Sequence, residues 1–219
     1  MDFFTLPWLE IAFFVGEEFS FRLKLTTPLD IIEQSIAGLV RVGSRDTGEP
    51  YFGQSAGNRF DDPRELAADR FGTCYLGVNL RTAIAESVLH NETAGSRSLP
   101  RSGPGAGPVL YPVTTQSLFL ANLTGPALFT KGADGSISTD PFRVPQLWAV
   151  KLHEHHQQVD GLLYACRTLN TERAVVVFDR ARHKFPSPAD GPLVDDADLA
   201  EALHDLRVDV AYENKLVRY

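Results

Sequence analysis

The stretch Phe71-Gly-Thr-Cys-Tyr-Leu-Gly-Val-Asn-Leu-Arg-Thr-Ala-Ile-Ala-Glu86 decides the fold, because it predicts a strand, a tight corner and a helix in direct succession. Residues 74–78 are apolar and aromatic, as expected of a buried strand. Asn79 is a favourable residue for capping the start of a helix. The apolar residues that follow recur at helical spacing, namely Leu80, Ala83, Ile84 and Val88.

Side chains on both sides of this corner are candidates for one cleft. Helical spacing places Thr82, Glu86 and His90 on a stripe that faces away from Ile84. Tyr75 leaves the preceding strand near the mouth of the same corner. A carboxylate and a phenol could therefore meet there, although this segment alone favours a solvated Glu86 and a core Tyr75.

Composition bounds the class of protein. The chain has 219 residues, enough for one substantial domain, and its net charge of −7 argues against nonspecific binding to nucleic acid or an anionic membrane. Cys74 and Cys166 lack metal-ligand spacing, so free thiols in a reducing cytoplasm are expected. Near the start we find no basic segment, and the apolar run at residues 11–15 is too short to span a bilayer. We therefore expect neither an export signal nor a membrane helix.

Several strands and few helices follow without regular alternation, which favours the α+β class, with mixed small sheets and packed helices. The predicted helices cover residues 28–37, a segment opened by Pro145, and residues 195–206. The other predicted strands cover residues 39–42, 109–113, 117–123, 161–166 and 174–178, with a further edge strand at 208–212. Residues 94–108 are rich in Gly, Ser, Pro and Arg and predict a loop.

Two arginines are candidates for anion binding. Arg41 and Arg59 each stand in a short apolar or glycine-bordered context, where a guanidinium needs an anionic partner. Together they could hold a pyrophosphate through bidentate hydrogen bonds, since guanidinium geometry matches phosphate oxygens. A structural ion pair with one of the many carboxylates explains them equally well.

Other polar clusters carry weaker signals. His153 and His156 are one helical turn apart, but a third metal ligand is missing, so a solvated helix end is favoured and no metal site is predicted. Cys166 as a thiol nucleophile has no local support, because a buried cysteine at a strand end is usually inert.

An ordered set of motifs resembles the RES domain family, named for an arginine, a glutamate and a serine. The set covers roughly residues 38–180, and we therefore predict an N-terminal extension at 1–37 and a RES domain at 38–219. The matching pieces are Leu39-Val-Arg41-Val, Gly57-Asn-Arg59-Phe60, Tyr75-Leu-Gly, Ala85-Glu86, Leu120-Ala-Asn-Leu-Thr124, Gln146-Leu-Trp148, Asp160-Gly-Leu-Leu-Tyr164 and the strand at 174–178.

The resemblance implies a fold similar to ADP-ribosyltransferase toxins and an enzyme that consumes NAD by breaking the nicotinamide–ribose bond. NAD would be the substrate, and no separate cofactor is implied. Glu86 and Tyr75 would be catalytic. Arg41 and Arg59 would bind the pyrophosphate.

The family's Y-x-S-R motif corresponds to Tyr164-Ala-Cys166-Arg167, so Cys166 and Arg167 would also bind substrate. A thiol is a poorer hydrogen-bonding group than a hydroxyl. If the serine hydroxyl positions the ribose, activity here would be reduced; if only the backbone matters, little changes. Asn122 also replaces the aspartate that is usual in the family.

The family forms the toxin half of bacterial toxin–antitoxin pairs, which implies a cytoplasmic protein partnered by a helix-turn-helix (Xre-type) antitoxin. The resemblance leaves room for a homo-oligomer within that complex, and implies no membrane and no direct nucleic-acid contact. The acceptor of the ADP-ribosyl group would be water in glycohydrolysis or phosphate in phosphorolysis. Two alternatives stay open, namely transfer of ADP-ribose to a protein, and a degenerate RES fold that only binds a partner.

Overall fold

The computed structural model describes residues 28–43, 50–87, 89, 107–110, 115–133, 135–139, 142–187, 189–190, 197–207, 210–212 and 215–217. Predictions for residues 1–27, for most of the loop at 94–108, and for Val88 and His90 lie outside these ranges. The described strands are β1 (Ile31–Ser35), β2 (Val40–Gly43), β3 (Thr73–Gly77), β4 (Gly107–Leu110), β5 (Ser117–Leu123), β6 (Gly161–Ala165), β7 (Arg173–Phe178), β8 (Ala189–Asp190), β9 (Val210–Tyr212) and β10 (Lys215–Val217).

The described helices are α1 (Leu80–Ser87), α2 (Gly125–Thr130), α3 (Ser136–Thr139), α4 (Arg143–His155) and α5 (Leu199–Leu206). Two 3₁₀ turns accompany them, at Ala67–Asp69 and Asp179–Lys184. The longest described helix, α4, has 13 residues, and none of the described helices has the length and apolar composition needed to cross a bilayer.

Eight strands form one mixed sheet in the order β1-β5-β6-β7-β3-β2-β4-β8. Only β5 and β6 pair in parallel; every other neighbouring pair in the described sheet is antiparallel. The predicted α+β class is confirmed, although most strands share one large sheet. Strands β6 and β7, near the centre of this sheet, are buried along nearly their whole length, as expected for strands covered on both faces.

The corner between β3 and α1 has the predicted form. A Cβ atom on Gly77 would lie 2.3 Å from the backbone nitrogen of Ala83, so only glycine lets the strand end against the helix. Asn79 caps α1, because its Oδ1 accepts hydrogen bonds from the backbone nitrogen of Thr82 at 2.8 Å and from the Thr82 hydroxyl at 2.9 Å. Thr82 is fully buried against this cap, whereas Glu86, one turn farther along the predicted stripe, is partly exposed.

The segment at residues 28–37 was predicted as a helix, and this prediction is wrong. Ile31–Ser35 forms β1, which pairs antiparallel with β5 from Ile31↔Ala121 to Ser35↔Ser117. The apolar residues at 29, 32 and 36 match helical spacing, but Ile31 and Ile32 are β-branched and pack well beside another strand. Pairing with a strand almost ninety residues away outweighs the local periodicity.

The C-terminal part of the described chain packs on the helix that carries Glu86. Arg81 of α1 forms an ion pair with Asp205 of α5 at 2.7 Å and a second one with Glu172. Leu203 and Leu206 of α5 are buried in the same core as α1. The predicted edge strand near 208–212 exists as β9, but it pairs with β10 in a separate two-stranded sheet.

Candidate active site

Glu86 lies in the last turn of α1, where its carboxylate faces the end of β6. The hydroxyl of Tyr164 donates a hydrogen bond to Oε2 of Glu86 at 2.8 Å, and the backbone nitrogen of Arg167 donates to Oε1 at 3.2 Å. The thiol of Cys166 is close enough to this carboxylate to interact with it electrostatically. The structure thus brings together three of the predicted site residues, Glu86, Cys166 and Arg167, around one carboxylate.

Tyr164 is the site residue that sequence reasoning missed. Its side chain is only 2% exposed, and its ring packs against Phe60 with centroids 4.7 Å apart. Burial and the nearby Glu86 carboxylate raise the pKa of the Tyr164 phenol well above its usual range, so the hydroxyl stays protonated and remains a donor. One signal was available: residues two apart on a strand share a face, so Tyr164 had to lie beside Cys166.

Cys166 is a buried, protonated thiol. Burial and the carboxylate of Glu86 raise its pKa to about 12, and its Sγ accepts a hydrogen bond from the backbone nitrogen of Leu169 at 3.4 Å. The thiolate is the nucleophilic form of cysteine. At neutral pH Cys166 is therefore a protonated thiol beside the Glu86 carboxylate, which argues against the thiol-nucleophile hypothesis.

Arg59 is buried beside the same cluster, with 3% of its surface exposed. Its Nη1 donates to the backbone oxygen of Ile137 at 3.4 Å, and its guanidinium carbon lies 5.1 Å from the ring centroid of Phe142. Burial lowers the pKa of Arg59, and the positive charge of Arg167 lowers it further, while Glu86 acts in the opposite direction. Arg59, Arg167 and Glu86 are thus close enough to interact electrostatically.

The turn that carries Arg59 is hydrogen-bonded to a side chain of α4. Nε2 of Gln146 donates to the backbone oxygens of Ala56 and Asn58, at 3.1 and 3.0 Å. Ala56 has a φ of 59°, in the left-handed region, so the turn needs such external support. Gln146 therefore fixes the backbone on which the Arg59 side chain is mounted.

Tyr75 supports this turn from the sheet. Its hydroxyl donates to Oδ1 of buried Asp61 at 3.1 Å and accepts from the backbone nitrogen of Phe60 at 2.9 Å. Burial and the Asp61 carboxylate raise the pKa of Tyr75 well above its usual range. Tyr75 lies near Arg59, but the proton of its hydroxyl is directed at Asp61, so its predicted catalytic role stays a prediction.

The carboxylate of Asp61 accepts hydrogen bonds from several segments of the chain. Besides Tyr75, its carboxylate accepts hydrogen bonds from the Thr73 hydroxyl at 2.6 Å, the Ser55 hydroxyl at 2.8 Å, and both the backbone and side-chain nitrogens of Asn58 at 3.0 Å. A buried carboxylate is tolerated only when it is satisfied in this way. Asp61 thus joins β3 to the turn on which Arg59 stands.

Arg41 lies where β2 separates from β3. The two strands pair only through Val40↔Gly77, and farther along β3 the place beside Thr73 is taken by Gly53. The guanidinium carbon of Arg41 lies 5.6 Å from the ring centroid of Tyr51. The structure therefore places Arg41 over Tyr51, and its contact with a pyrophosphate stays a prediction.

Of the clustered histidines, His153 packs against the core, whereas His155 is exposed. The ring of His153 stacks on Phe71 with centroids 4.2 Å apart, and burial together with the charge of Arg180 lowers its pKa to about 4. Within the ranges that the structure describes, no three His, Cys, Asp or Glu side chains are grouped so that they could hold a metal ion. His153 is thus a half-buried, neutral side chain at ordinary pH.

A separate cavity of about 470 Å³ lies at the carboxyl ends of β5 and β6, lined in part by Asp30, Asn122 and Glu172. Nδ2 of Asn122 donates to Oδ2 of Asp30 at 2.8 Å. An aspartate at 122 would instead place two carboxylates against each other, which is unfavourable. The neighbouring Asp30 therefore explains why an amide suits position 122 in this chain.

The chain is thus an α+β protein built on one large mixed sheet. Its candidate site is polar and consists of the Glu86 carboxylate, the phenols of Tyr164 and Tyr75, and the buried Arg59. The family model for the RES domain matches residues 39–200, so this chain belongs to the RES domain family. The match begins after β1, although β1 is paired within the main sheet. The division into an extension at 1–37 and a domain at 38–219 stays a prediction.

Comparison with solved structures supports the fold. A chain of the crystal structure of the M. tuberculosis MbcT–MbcA toxin–antitoxin complex matches with a TM-score of 0.52 and 18% sequence identity, over 75% of this chain and 88% of that one. At this identity the likeness concerns the fold alone. A search among curated protein sequences found no match.

Proposed function

We propose that this chain is the toxin of a toxin–antitoxin pair and that it degrades NAD by cleaving the nicotinamide–ribose bond. The observation that carries the proposal is the position of Glu86, whose carboxylate is hydrogen-bonded at the end of β6 and lies within electrostatic reach of Arg59. Membership of the RES domain family and a fold similar to that of a protein from a toxin–antitoxin complex support it.

The chemistry needs one well-placed negative charge. As the bond between ribose C1′ and the nicotinamide nitrogen breaks, its electron pair leaves with nicotinamide and positive charge develops on the ribose. A carboxylate fixed beside the ribose stabilises that charge without having to reorganise. The oxygen of water or phosphate then bonds to C1′ and loses a proton, giving ADP-ribose or its 1-phosphate.

The arginines would supply the binding energy. NAD carries a pyrophosphate, and Arg59 and Arg167 interact electrostatically with each other beside Glu86. A bound pyrophosphate would relieve their mutual repulsion and accept hydrogen bonds from both. Arg41, which lies over Tyr51, is a further candidate for the same anion.

One observation favours an alternative, a RES fold that binds a partner without catalysis, because Cys166 stands where the family has a serine. Against it, the Cys166 thiol still lies within electrostatic reach of the Glu86 carboxylate. Transfer of ADP-ribose to a protein uses the same bond cleavage with a different acceptor. The three hypotheses differ in their products.

The test is the NAD content of bacteria that express the chain. The proposal predicts that NAD falls on induction of the wild type and not of Glu86→Gln at equal protein level. Mass spectrometry then names the acceptor, as ADP-ribose, ADP-ribose phosphate or a modified protein. Unchanged NAD in cells that contain folded, unpartnered wild-type chain would contradict the proposal and favour the binding module.

An enzyme that drains NAD in the cytoplasm must be restrained. We propose a helix-turn-helix antitoxin whose terminal segment enters the cleft beside Arg59 and Arg167, since an acidic or carboxyl-terminated peptide pairs with guanidinium groups as a pyrophosphate does. Titration of NAD into the purified complex and into the free chain tests this. Occlusion predicts much weaker binding to the complex, and equal binding would contradict it.

A further inference from the structure

We infer that Tyr164 is the positioning residue for Glu86, holding the carboxylate in its productive orientation through the 2.8 Å hydrogen bond from its hydroxyl to Oε2. The inference rests on the proposed cleavage of NAD and adds to it a residue on which catalysis depends. Tyr164 touches Glu86 and is not assigned a contact with the substrate.

Glu86 needs such a partner because of its place in the helix. It is the penultimate residue of α1, which ends at Ser87, and its carboxylate is attached through three rotatable bonds. Electrostatic stabilisation of a transition state requires a charge that is fixed in advance, since a mobile carboxylate must first be ordered. The orientation of Glu86 therefore has to come from the residues that it contacts.

Tyr164 is suited to impose that orientation because its own side chain is held in place by packing. It stands on β6 between two paired strands, opposite Leu123 of β5 and Ala174 of β7. Its side chain is 2% exposed, and its ring is packed against Phe60. The hydroxyl is thus presented to Glu86 from the rigid centre of the sheet.

The other described donor to the Glu86 carboxylate is weaker. The backbone nitrogen of Arg167 lies 3.2 Å from Oε1, beyond the end of β6. The Tyr164 hydroxyl lies 2.8 Å from Oε2, an ordinary distance for an O–H···O hydrogen bond, and a thiol such as that of Cys166 nearby is a poor donor. With a thiol in place of the family's serine, Tyr164 supplies the side-chain hydrogen bond that the structure describes at Glu86.

The test is steady-state kinetics of Tyr164→Phe, which removes the hydroxyl and keeps the ring. We expect kcat for NAD to fall about ten- to a hundredfold, as for loss of a hydrogen bond to a charged group, while KM stays within about twofold. In the Glu86→Gln background the same change should cause little further loss, since Tyr164 acts through the carboxylate. A merely structural role predicts a lower melting temperature and equal losses in both backgrounds.

The crystal structure of Tyr164→Phe is the second readout and does not depend on turnover. A Glu86 carboxylate displaced or spread over several orientations supports the inference, and one that keeps its wild-type position overturns it. If the wild type turns over NAD and Tyr164→Phe is equally active, the inference about Tyr164 is overturned, while the proposed cleavage of NAD still stands. A wild type without NAD turnover contradicts the proposed function, and the crystal structure then decides the role of Tyr164.

Discussion

The hydroxyl of Tyr75 donates to Oδ1 of Asp61 at 3.1 Å, and this contact ties the central strand β3 to the turn that carries Arg59. The second tyrosine of the site, Tyr164, donates instead to Glu86. The two phenols are close enough to interact electrostatically, yet their hydroxyls donate to different carboxylates. One supports the arginine that would bind substrate, and the other supports the carboxylate that would act on it.

Tyr75→Phe should therefore destabilise the fold. The backbone nitrogen of Phe60 loses its acceptor and Asp61 loses one of its donors, so we expect the free energy of unfolding to fall by about 1–3 kcal/mol. Urea unfolding measures this. Asp61→Asn, which replaces one of the two accepting oxygens by a donating NH₂ group, should cost more, and a Tyr75→Phe protein as stable as the wild type would show that the contact is unimportant.

Arg59→Ala should raise KM for NAD more than Glu86→Gln does, because contacts to the pyrophosphate exist before the bond breaks. Its burial predicts a lower melting temperature as well, so kinetics should be measured below the transition of the variant. Arg173→Ala, at an exposed arginine, is the matched control. Nicotinamide mononucleotide lacks the pyrophosphate, and equal sensitivity of its turnover to Arg59→Ala would contradict the assignment. Arg41→Ala is expected to act in the same direction.

Cys166→Ser should keep or increase activity. The thiol pKa of about 12 leaves almost no thiolate at neutral pH, and serine places a stronger hydrogen-bond donor beside Glu86 with nearly the same volume. Initial rates of the two proteins at one NAD concentration below KM measure the effect. Loss of activity in Cys166→Ser, together with a covalent adduct trapped on the wild type, would restore the nucleophilic thiol.

His153 should make the fold sensitive to acid. Its pKa of about 4 lies below the ordinary value of 6.5, because the ring is buried near Arg180, while Asp179 offsets this only in part. The unfolded state therefore binds the proton more readily, and the stability associated with neutral His153 is present above about pH 6.5 and lost as the pH falls toward 4.

Urea unfolding of His153→Phe over this pH range checks the prediction. Phenylalanine keeps the stacking on Phe71 and removes the titration, so the decline in stability toward low pH should be shallower than in the wild type. The exposed His155 gives the control variant His155→Gln. An unchanged pH dependence in His153→Phe would show that other groups cause the decline.

The fold was predictable where its signals are local. The strand, the cap at Asn79 and the first turn of α1 follow from neighbouring residues, and the structure confirms them. The prediction for the segment at 28–37 failed because its state depends on pairing with β5, which lies far along the chain. The β-branched Ile31 and Ile32 were a local sign of the strand, but the helical spacing of the apolar residues outweighed it in the prediction.

The site was predictable in part for the same reason. Motif order pointed to Glu86, Cys166 and Arg167, and the structure brings these residues together. The bond between Glu86 and Tyr164 joins residues 78 positions apart, and the attachment of Tyr75 to Asp61 depends on how a turn folds back on β3. Such contacts are set by tertiary packing, so residue types and spacing could not assign them.

The central claim is that Glu86 stabilises the charge that develops as the nicotinamide–ribose bond breaks, and the rate of nicotinamide release from NAD tests it most directly. Purified wild type, free of any partner, should release nicotinamide. Glu86→Gln, with the same melting temperature and a similar KM, should do so more slowly by roughly a hundredfold or more. Equal rates for the two proteins, or no release by the folded wild type, would contradict the account.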